Sequence, residues 1–349
     1  MKSRIFAVSA FAVLMFSVVG FALFQSPSVS GAGKASRLVS LLPASDGVVV
    51  FDPKRFLNDA LPKVLSANQP MLGEVTSKID EMAAKTGIDL RKFDQVAVGI
   101  SMKQVGSRGL EAEPVAIASG DINAGALIAV GKLAANGSYR EEKIGGKTAY
   151  VFTAKDVLKN APVKPTNTKL GHMIEQAVNS LTKEVAVSAI DANTLVLGSL
   201  PRVRETLEGK TRVSADITGL LTNKPSAVVA FAVKPVGGLS QFLPMDNDEL
   251  GKNVDAIQYL SGSLDVTASG ASLNAMARTK QADQAVGLKD TLEGLQALGN
   301  MYFGSSKRPD QQVYGRMIKA AKFGVTGSDV TLDLLVQQSD IDFLIGKIK

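Results

Sequence analysis

The stretch Val185–Gly209, VAVSAIDANTLVLGSLPRVRETLEG, decides the fold that the sequence predicts. Side chains that favour a half-buried strand alternate from Val185 to Ala189. Asp191-Ala192-Asn193 supplies residue types that tolerate the backbone angles of a tight turn. Thr194–Leu197 then returns as a second strand. This part of the stretch therefore predicts a β-hairpin.

A short helix is predicted directly after the hairpin. Ser199 is a residue type that caps helix N-termini, and Pro201 suits the first helical turn. Gly209 is the residue type that most often ends a helix. The apolar face of this helix is formed by Leu200, Val203 and Leu207.

The order of a hairpin followed by a helix occurs three more times, at residues 95–135, 260–298 and 322–346. We expect Asp121 and Ser339 to cap helices as Ser199 does. Together with a preceding strand and additional helices, the units form two similar halves, which predicts a tandem duplication. The predicted class is α+β, with two tandem halves, each a mostly antiparallel sheet with helices packed on one face.

The unit at residues 260–298 predicts a helix after its hairpin. Its apolar side chains recur at helical spacing, and residues 303–312 are predicted to be a polar loop that precedes a further helix around residues 313–321. The apolar side chains of the longer helix are Val286, Leu288, Leu292, Leu295 and Leu298.

The N-terminus predicts export. Ile5–Phe24 is uncharged, and twenty helical residues span about 30 Å, the thickness of a bilayer core. Ser30-Gly31-Ala32 matches a small-x-small cleavage pattern. Residues 1–24 are therefore either a cleaved signal peptide or a single transmembrane anchor that lies outside the fold. In both cases Lys2 and Arg4 stay in the cytoplasm and the rest is exported.

The remaining chain divides into a tether and two domains. Residues 25–37 are rich in Ser, Gly and Pro, which is typical of a flexible linker. Residues 38–212 and 213–349 are predicted to be the first and second α+β repeat domains. The expected location is periplasmic, extracellular or anchored in the inner membrane, with the C-terminal part outside the cytoplasm.

The composition excludes several kinds of site. The chain of 349 residues has no cysteine and one histidine, so disulfides, thiolate metal sites and multi-histidine metal sites cannot form within it. Its net charge of +6 is spread along the chain without a dense basic stripe, and no nucleic-acid partner is expected. No cofactor is expected either.

Four short motifs resemble parts of known catalytic or ligand-binding sites. The Gly-Lys-Thr triplets at Gly146 and Gly209 lack the earlier glycine of a phosphate-binding loop. Ser180 and Lys183 have Ser-x-x-Lys spacing but no partner motifs, and His172 falls on the polar face of its helix. Residues 246–249, Asp-Asn-Asp-Glu, lack the later ligands of a calcium loop. No catalytic, cofactor-binding or metal-binding residue is therefore expected.

Four segments carry a resemblance to a known group of proteins. The sequence resembles an uncharacterised family of exported bacterial proteins over about residues 40–210. The resemblance implies export and the same fold class, and it brings no catalytic residues. The segments are FDPKRFL (51–57), GDINAGALIAVGKL (120–133), YREEKIGGKTAYVF (139–152) and LVLGSLPRVRETLEG (195–209).

Three functional hypotheses follow from the sequence. The first is a non-catalytic binding or structural module of the cell envelope, with an unidentified protein or apolar ligand as its partner, and contact with the membrane through residues 5–24 if these are retained. The second is a carrier that holds a lipid or other apolar ligand in a groove between sheet and helices. The third is a hydrolase of an unrecognised type.

Overall fold

The computed structural model describes residues 35–105, 109–153, 184–221, 227–236 and 249–346. These residues form a mixture of helices and a large antiparallel sheet, which confirms the α+β class predicted from the sequence. The hydrophobic segment 5–24, residues 25–34 of the predicted tether and residues 154–183 lie outside the described residues. The last part of the predicted tether 25–37 is not a linker, because residues 35–37 belong to the helix Ala35–Leu41.

Twelve strands occur in the described ranges. They are β1 (Gly47–Phe51), β2 (Phe93–Val105), β3 (Gly109–Gly120), β4 (Tyr139–Ile144), β5 (Lys147–Thr153), β6 (Glu184–Asp191), β7 (Thr194–Gly198), β8 (Val229–Val233), β9 (Ile257–Thr267), β10 (Gly270–Thr279), β11 (Lys322–Thr326) and β12 (Asp329–Gln337).

The helices of the same ranges alternate with these strands. They are α1 (Ala35–Leu41), α2 (Pro53–Arg55), a π-helical segment (Phe56–Ala60), α3 (Leu61–Val64), α4 (Gln69–Thr86), a 3-10 turn (Leu90–Lys92), α5 (Ala124–Ala134), α6 (Leu200–Glu208), α7 (Ala215–Leu221), α8 (Glu249–Asp255), α9 (Ala282–Gly304), α10 (Pro309–Ala320) and α11 (Gln338–Ile345).

The described chain divides into two compact units. The first comprises Ala35–Lys54 and Gly73–Ser214, and the second comprises Arg55–Leu72 and the described part of Ala215–Lys349. The sequence-based division at 212/213 placed Arg55–Leu72 with the first domain. Long-range polar contacts explain why the structure groups it with the second, and no local pattern could indicate them. They are Arg55 Nη2 to Asp265 Oδ1 at 2.7 Å, Ser66 Oγ to Asp342 Oδ1 at 2.8 Å and Gln338 Nε2 to the Lys63 carbonyl at 2.8 Å.

Strands of the first unit lie in the order β1-β2-β3-β7-β6-β5-β4. Their pairings are antiparallel, with Val98 opposite Val49 and Ile117 opposite Val196. The hairpin β4–β5 turns at Gly145 and Gly146, both with positive φ, as a tight two-residue turn requires. The fully buried side chains of this unit include Phe93, Val48, Val98, Ile117, Val196 and Val203.

The hairpin β6–β7 and helix α6 form as their sequence predicts. Leu197 pairs with Val187, and α6 ends at Gly209, whose φ of 68° lies in the left-handed region. The capping detail differs from the prediction. Ser199 occupies the N-cap position, but its hydroxyl accepts no hydrogen bond from the helix.

Two other predicted caps are wrong. Asn123, not Asp121, caps α5, because its Oδ1 accepts a hydrogen bond of 2.9 Å from the amide of Ala126. Ser339 lies inside α11, whose N-cap position is Gln337. Asx and serine residues near a helix start are interchangeable in sequence patterns, and the register of the first turn decides among them.

Strands of the second unit lie in the order β11-β12-β10-β9-β8, again with antiparallel pairing. Its core joins one sheet face to α9. The buried side chains are Ala277, Ala285, Leu288 and Val330, and the partly buried side chains packed against them are Ile257, Leu260, Leu292 and Val325.

Candidate functional site

Helices α9 and α10 of the second unit form an antiparallel hairpin. The amide of Gln296 donates hydrogen bonds of 2.7 Å to the carbonyls of Ile318 and Ala321 near the base of this hairpin. Further along, the rings of Phe303 and Tyr314 lie 6.2 Å apart. Residue numbers rise along α9 while those of their partners fall along α10, which fixes the antiparallel direction.

One glycine allows the two helices to approach closely. A Cβ atom at Gly299 would stand 3.1 Å from Cδ1 of Ile318, closer than side chains normally pack. The smallest residue therefore lies where α10 crosses α9. The close contact fixes α10 against one side of α9 and leaves another side of α9 without cover from it.

The uncovered side of α9 carries large apolar side chains. Leu295, Leu298 and Tyr302 recur at i, i+3 and i+7, so they line one helix face, and Met301 lies beside them. Their exposed fractions rise along the helix, from 47% at Leu295 and 58% at Leu298 to 72% at Met301 and 70% at Tyr302. We call these four side chains the apolar stripe. The stripe becomes more exposed towards the turn between the helices.

Aromatic rings continue from the stripe across this turn. Tyr302 packs edge-on against Phe303 with ring centroids 5.0 Å apart, and Phe303 contacts Tyr314 of α10 in the same manner. Tyr314 is itself 43% exposed. The end of the helical hairpin therefore presents aromatic and aliphatic surface together.

The turn Ser305–Arg308 is held by its own hydrogen bonds. Ser306 Oγ accepts a bond of 3.1 Å from the amide of Arg308, and its carbonyl accepts one of 3.1 Å from Gln312 Nε2. Arg308 also pairs with Asp310 through Nη2 and Oδ2 at 2.7 Å. These contacts fix the backbone that follows the stripe.

The turn also contains two exposed cationic side chains, Lys307 and Arg308. The hydrogen bond to Asp310 raises the pKa of Arg308, and its Coulomb attraction adds to the effect. Apolar and cationic groups therefore share one end of the hairpin.

A second unusual group, in the first unit, is the buried Arg202 of α6. Its side chain is 4% exposed, and Nη2 donates to the Ala44 carbonyl at 3.0 Å and to Ser45 Oγ at 2.8 Å. Nη1 pairs with Glu205. Three partners explain the guanidinium as a tie between α6 and the segment before β1, which is a structural role.

The glycine motifs that the sequence offered have structural roles in the described part of the chain. Gly145–Gly146 is a hairpin turn, and Gly209 is the C-cap of α6. Ser180, Lys183, His172 and residues 246–248 lie outside the described residues, so the predictions about them stay predictions. Within the described ranges, no three acidic or histidine side chains are grouped as a metal site would require. The same ranges contain no helix long and apolar enough to cross a membrane.

Comparisons with known proteins add little to this picture. No protein-family model and no curated protein matches the chain. One solved structure, titled "Structure of crystal form I of TP0453", is similar at 12% identity and a TM-score of 0.40, over 88% of this chain and 96% of that one.

The apolar stripe was not predicted as a site. Leu295 and Leu298 have the same helical spacing as Leu288 and Leu292, and periodicity alone assigns all four to one packed face. The prediction of a polar loop at 303–312 is also wrong, because α9 continues to Gly304 and α10 begins at Pro309, which leaves a short turn. The sequence signal for this surface is the pair of cationic residues Lys307 and Arg308 that follows the aromatic residues Tyr302 and Phe303.

Proposed function

We propose that this chain is an exported or membrane-anchored protein of the cell envelope that works as a non-catalytic binding module. Its binding surface is the apolar stripe on α9. The hydrophobic segment Ile5–Phe24 and the small-x-small pattern after it support export to the periplasm, the exterior or the outer side of the inner membrane. The proposal covers both a cleaved and a retained N-terminal segment.

The observation that carries the binding role is the continuity of exposed apolar side chains. Single exposed leucines, such as Leu133 of α5 at 65%, are normal on protein surfaces. Four neighbouring side chains on one helix are different, because contiguous apolar surface of this kind marks contact sites. The unit has already formed its core with Leu288 and Leu292, so the stripe is not needed to complete it.

We also propose that the two units descend from a tandem duplication. In the first, β1 precedes the hairpin β2–β3 with α5 and later β6–β7 with α6. In the second, β8 precedes β9–β10 with α9 and later β11–β12 with α11. The repeated order of strand, hairpin and helix supports this, as does the packing of α9 on one sheet face. The two proposed copies differ in the lengths of their helices.

The two alternative functions remain predictions. A carrier of an apolar ligand needs an enclosed groove, whereas the stripe is an open surface on the outside of α9. The Ser-x-x-Lys pair at Ser180 and Lys183, which motivated a hydrolase, lies outside the described residues. No contact of the described residues favours either alternative over a binding module.

Thiol labelling in cells tests the proposal. Because the chain has no cysteine, Leu298→Cys and Leu133→Cys each place one thiol in the full-length protein. Intact and lysed cells are treated with a membrane-impermeant maleimide. We expect Leu133→Cys to react on cells and Leu298→Cys to react several-fold more slowly, with equal rates after purification in detergent.

Two outcomes would count against it. Equal labelling of both variants on cells would show that nothing covers the stripe, and the binding role would be wrong. Labelling of Leu133→Cys that begins only when the cytoplasmic membrane is lysed, and not when the outer membrane alone is permeabilised, would contradict export.

A further inference from the structure

We propose that the apolar stripe docks on the surface of a lipid bilayer that carries anionic headgroups, with the turn between α9 and α10 leading. This inference rests on the proposed function, because it names the partner of the same surface. The chemistry of the partner follows from the gradient of exposure, the side-chain types and the distribution of charge.

The gradient of exposure gives the direction of approach. Exposure grows from Leu295 to Met301 and Tyr302, so the surface that water reaches best lies next to the turn. A surface that approaches with the turn leading would therefore make its first contacts through the thioether of Met301 and the phenol of Tyr302.

The side-chain types are those of an interfacial segment. Amphipathic helices that lie in a membrane interface place leucine and aromatic residues in the boundary and basic residues beside them. Tyrosine suits this position, since its ring prefers the apolar side and its hydroxyl remains hydrated. Tyr302 and Tyr314 provide two such rings on the two helices of the hairpin.

Charge is unevenly distributed along α9 and the turn that follows it. The acidic residues of α9 (Asp283, Asp290 and Glu293) all precede the stripe, and the next acidic residue is Asp310 in the first turn of α10. Lys307 and Arg308 lie in the zone between them and are exposed, and because Arg308 pairs with Asp310, the net charge of these three residues is +1. An anionic membrane surface attracts basic residues placed beside an apolar segment. The zone is therefore complementary to anionic lipid in both polarity and charge.

A second copy of this chain fits the surface less well. A two-fold contact whose axis passes through the turn, where the stripe is most exposed, would bring the same cations of both copies together. Like charges facing each other across an interface disfavour association. The fixed turn, held by Ser306 and Gln312, would instead present the cations to lipid without further ordering.

A tryptophan reporter tests this inference on the full-length chain, which has no tryptophan of its own. Leu298→Trp and the control Leu133→Trp are reconstituted with vesicles of phosphatidylcholine alone, or of phosphatidylcholine and phosphatidylglycerol in equal parts. The N-terminal segment is common to both variants, so a difference in emission reports the local surface. A third protein combines Leu298→Trp with Lys307→Glu.

We expect a blue shift for Leu298→Trp with the anionic vesicles, a smaller shift with phosphatidylcholine alone, and no shift for Leu133→Trp. Lys307→Glu should reduce the shift, as should salt of about 1 M, where the Debye length falls to ~3 Å. Equal shifts with both vesicle types would overturn the anionic preference.

The failures of the two proposals are distinguishable. If Leu298→Trp does not shift, but the protein self-associates in solution and Leu298→Glu prevents this, the bilayer is the wrong partner and the stripe is still a binding surface. If there is neither a shift nor self-association, and the cellular thiols react equally, both proposals are wrong.

Discussion

Helices α6 and α9 both follow a β-hairpin, yet they finish in different ways. Helix α6 has nine residues, buries Val203 completely, and stops at Gly209, whose amide bonds the Glu205 carbonyl at 3.0 Å. Helix α9 has 23 residues, buries Leu288, and continues for three turns beyond Leu292 with its leucines exposed. Helix α6 ends where its buried contacts end, whereas α9 continues beyond the residues that it buries.

This difference separates folding from binding within one structural motif. The buried side chains in the first part of α9, Ala285 and Leu288, stabilise the second unit because water is excluded from them, whereas Val286 beside them is 49% exposed. The apolar side chains in the last part gain nothing comparable in the isolated chain. Exposed apolar length beyond the core is thus the observation that supports the proposed binding surface.

The largest effect is expected where the two parts of α9 are compared directly. Leu288→Ala removes a side chain that is 2% exposed and should lower the free energy of unfolding by about 2–5 kcal/mol. Leu298→Ala, on the same helix, should change it by less than about 0.5 kcal/mol. Urea denaturation measures both. A large loss for Leu298→Ala would show that the stripe belongs to the core.

The buried guanidinium of α6 gives the next largest effect. Arg202→Met leaves the Ala44 carbonyl and Ser45 without their donor and should cost about 2 kcal/mol, since a buried acceptor is left unpaired. Arg204→Met on the same helix is the control, because Arg204 is 41% exposed and surface ion pairs contribute ~0–1 kcal/mol. Equal losses in denaturation would contradict the structural role of Arg202.

Two glycines should respond in opposite directions. Gly209→Ala forces a side chain into left-handed backbone and should destabilise by about 1 kcal/mol. Gly294→Ala lies in the exposed part of α9 with no atom within 4 Å of the new Cβ, and it should stabilise by up to about 1 kcal/mol through helix propensity. Thermal melts measure both changes. A destabilising Gly294→Ala would mean that this part of α9 is not a regular helix.

The smallest effect concerns acid sensitivity of the β6–β7 turn. Burial would raise the pKa of Asp191, but hydrogen bonds from Thr194 and the Asn193 amide, together with Arg37, lower it below the ordinary value of 3.8. A lowered folded-state pKa contributes stability above the unfolded value, and this contribution disappears as pH falls through the folded value. The surface location keeps it below about 1 kcal/mol.

Denaturation of Asp191→Asn at a series of pH values checks the sign. Wild type should be the more stable protein near neutral pH, and the difference should vanish in acid. Ser269→Ala in the β9–β10 turn is the control, because its hydroxyl contacts with Thr267 do not titrate in this range. A gap between wild type and Asp191→Asn that widens in acid would contradict the assigned hydrogen bonds.

Local chemistry made much of the fold predictable. The alternation in β6, the Gly145-Gly146 turn and the end of α6 at Gly209 each depend on a few neighbouring residues, and each forms as expected. The assignment of Arg55–Leu72 could not be predicted in this way. Its ion pair between Arg55 and Asp265 joins residues that are distant in sequence.

The helical periodicity that predicts α9 does not distinguish the candidate site from the buried core. Spacing indicates which face of α9 is apolar, but it does not indicate where the sheet beneath the helix ends. Leu288 and Leu298 are therefore equivalent in sequence and opposite in exposure. The packing of sheet strands, and of Asn253 of α8 at Gly287 and Thr291, against the first part of α9 separates them.

Quenching of tryptophan fluorescence by lipids brominated on their acyl chains tests directly whether the apolar stripe enters the bilayer. Full-length Leu298→Trp and Leu133→Trp are placed in vesicles of phosphatidylglycerol and brominated phosphatidylcholine, and quenching is compared with unbrominated vesicles. We expect strong quenching for Leu298→Trp and little for Leu133→Trp, because of these two positions only Leu298 belongs to the stripe proposed to enter the bilayer. Equal quenching of the two variants, or quenching of Leu133→Trp alone, would contradict it.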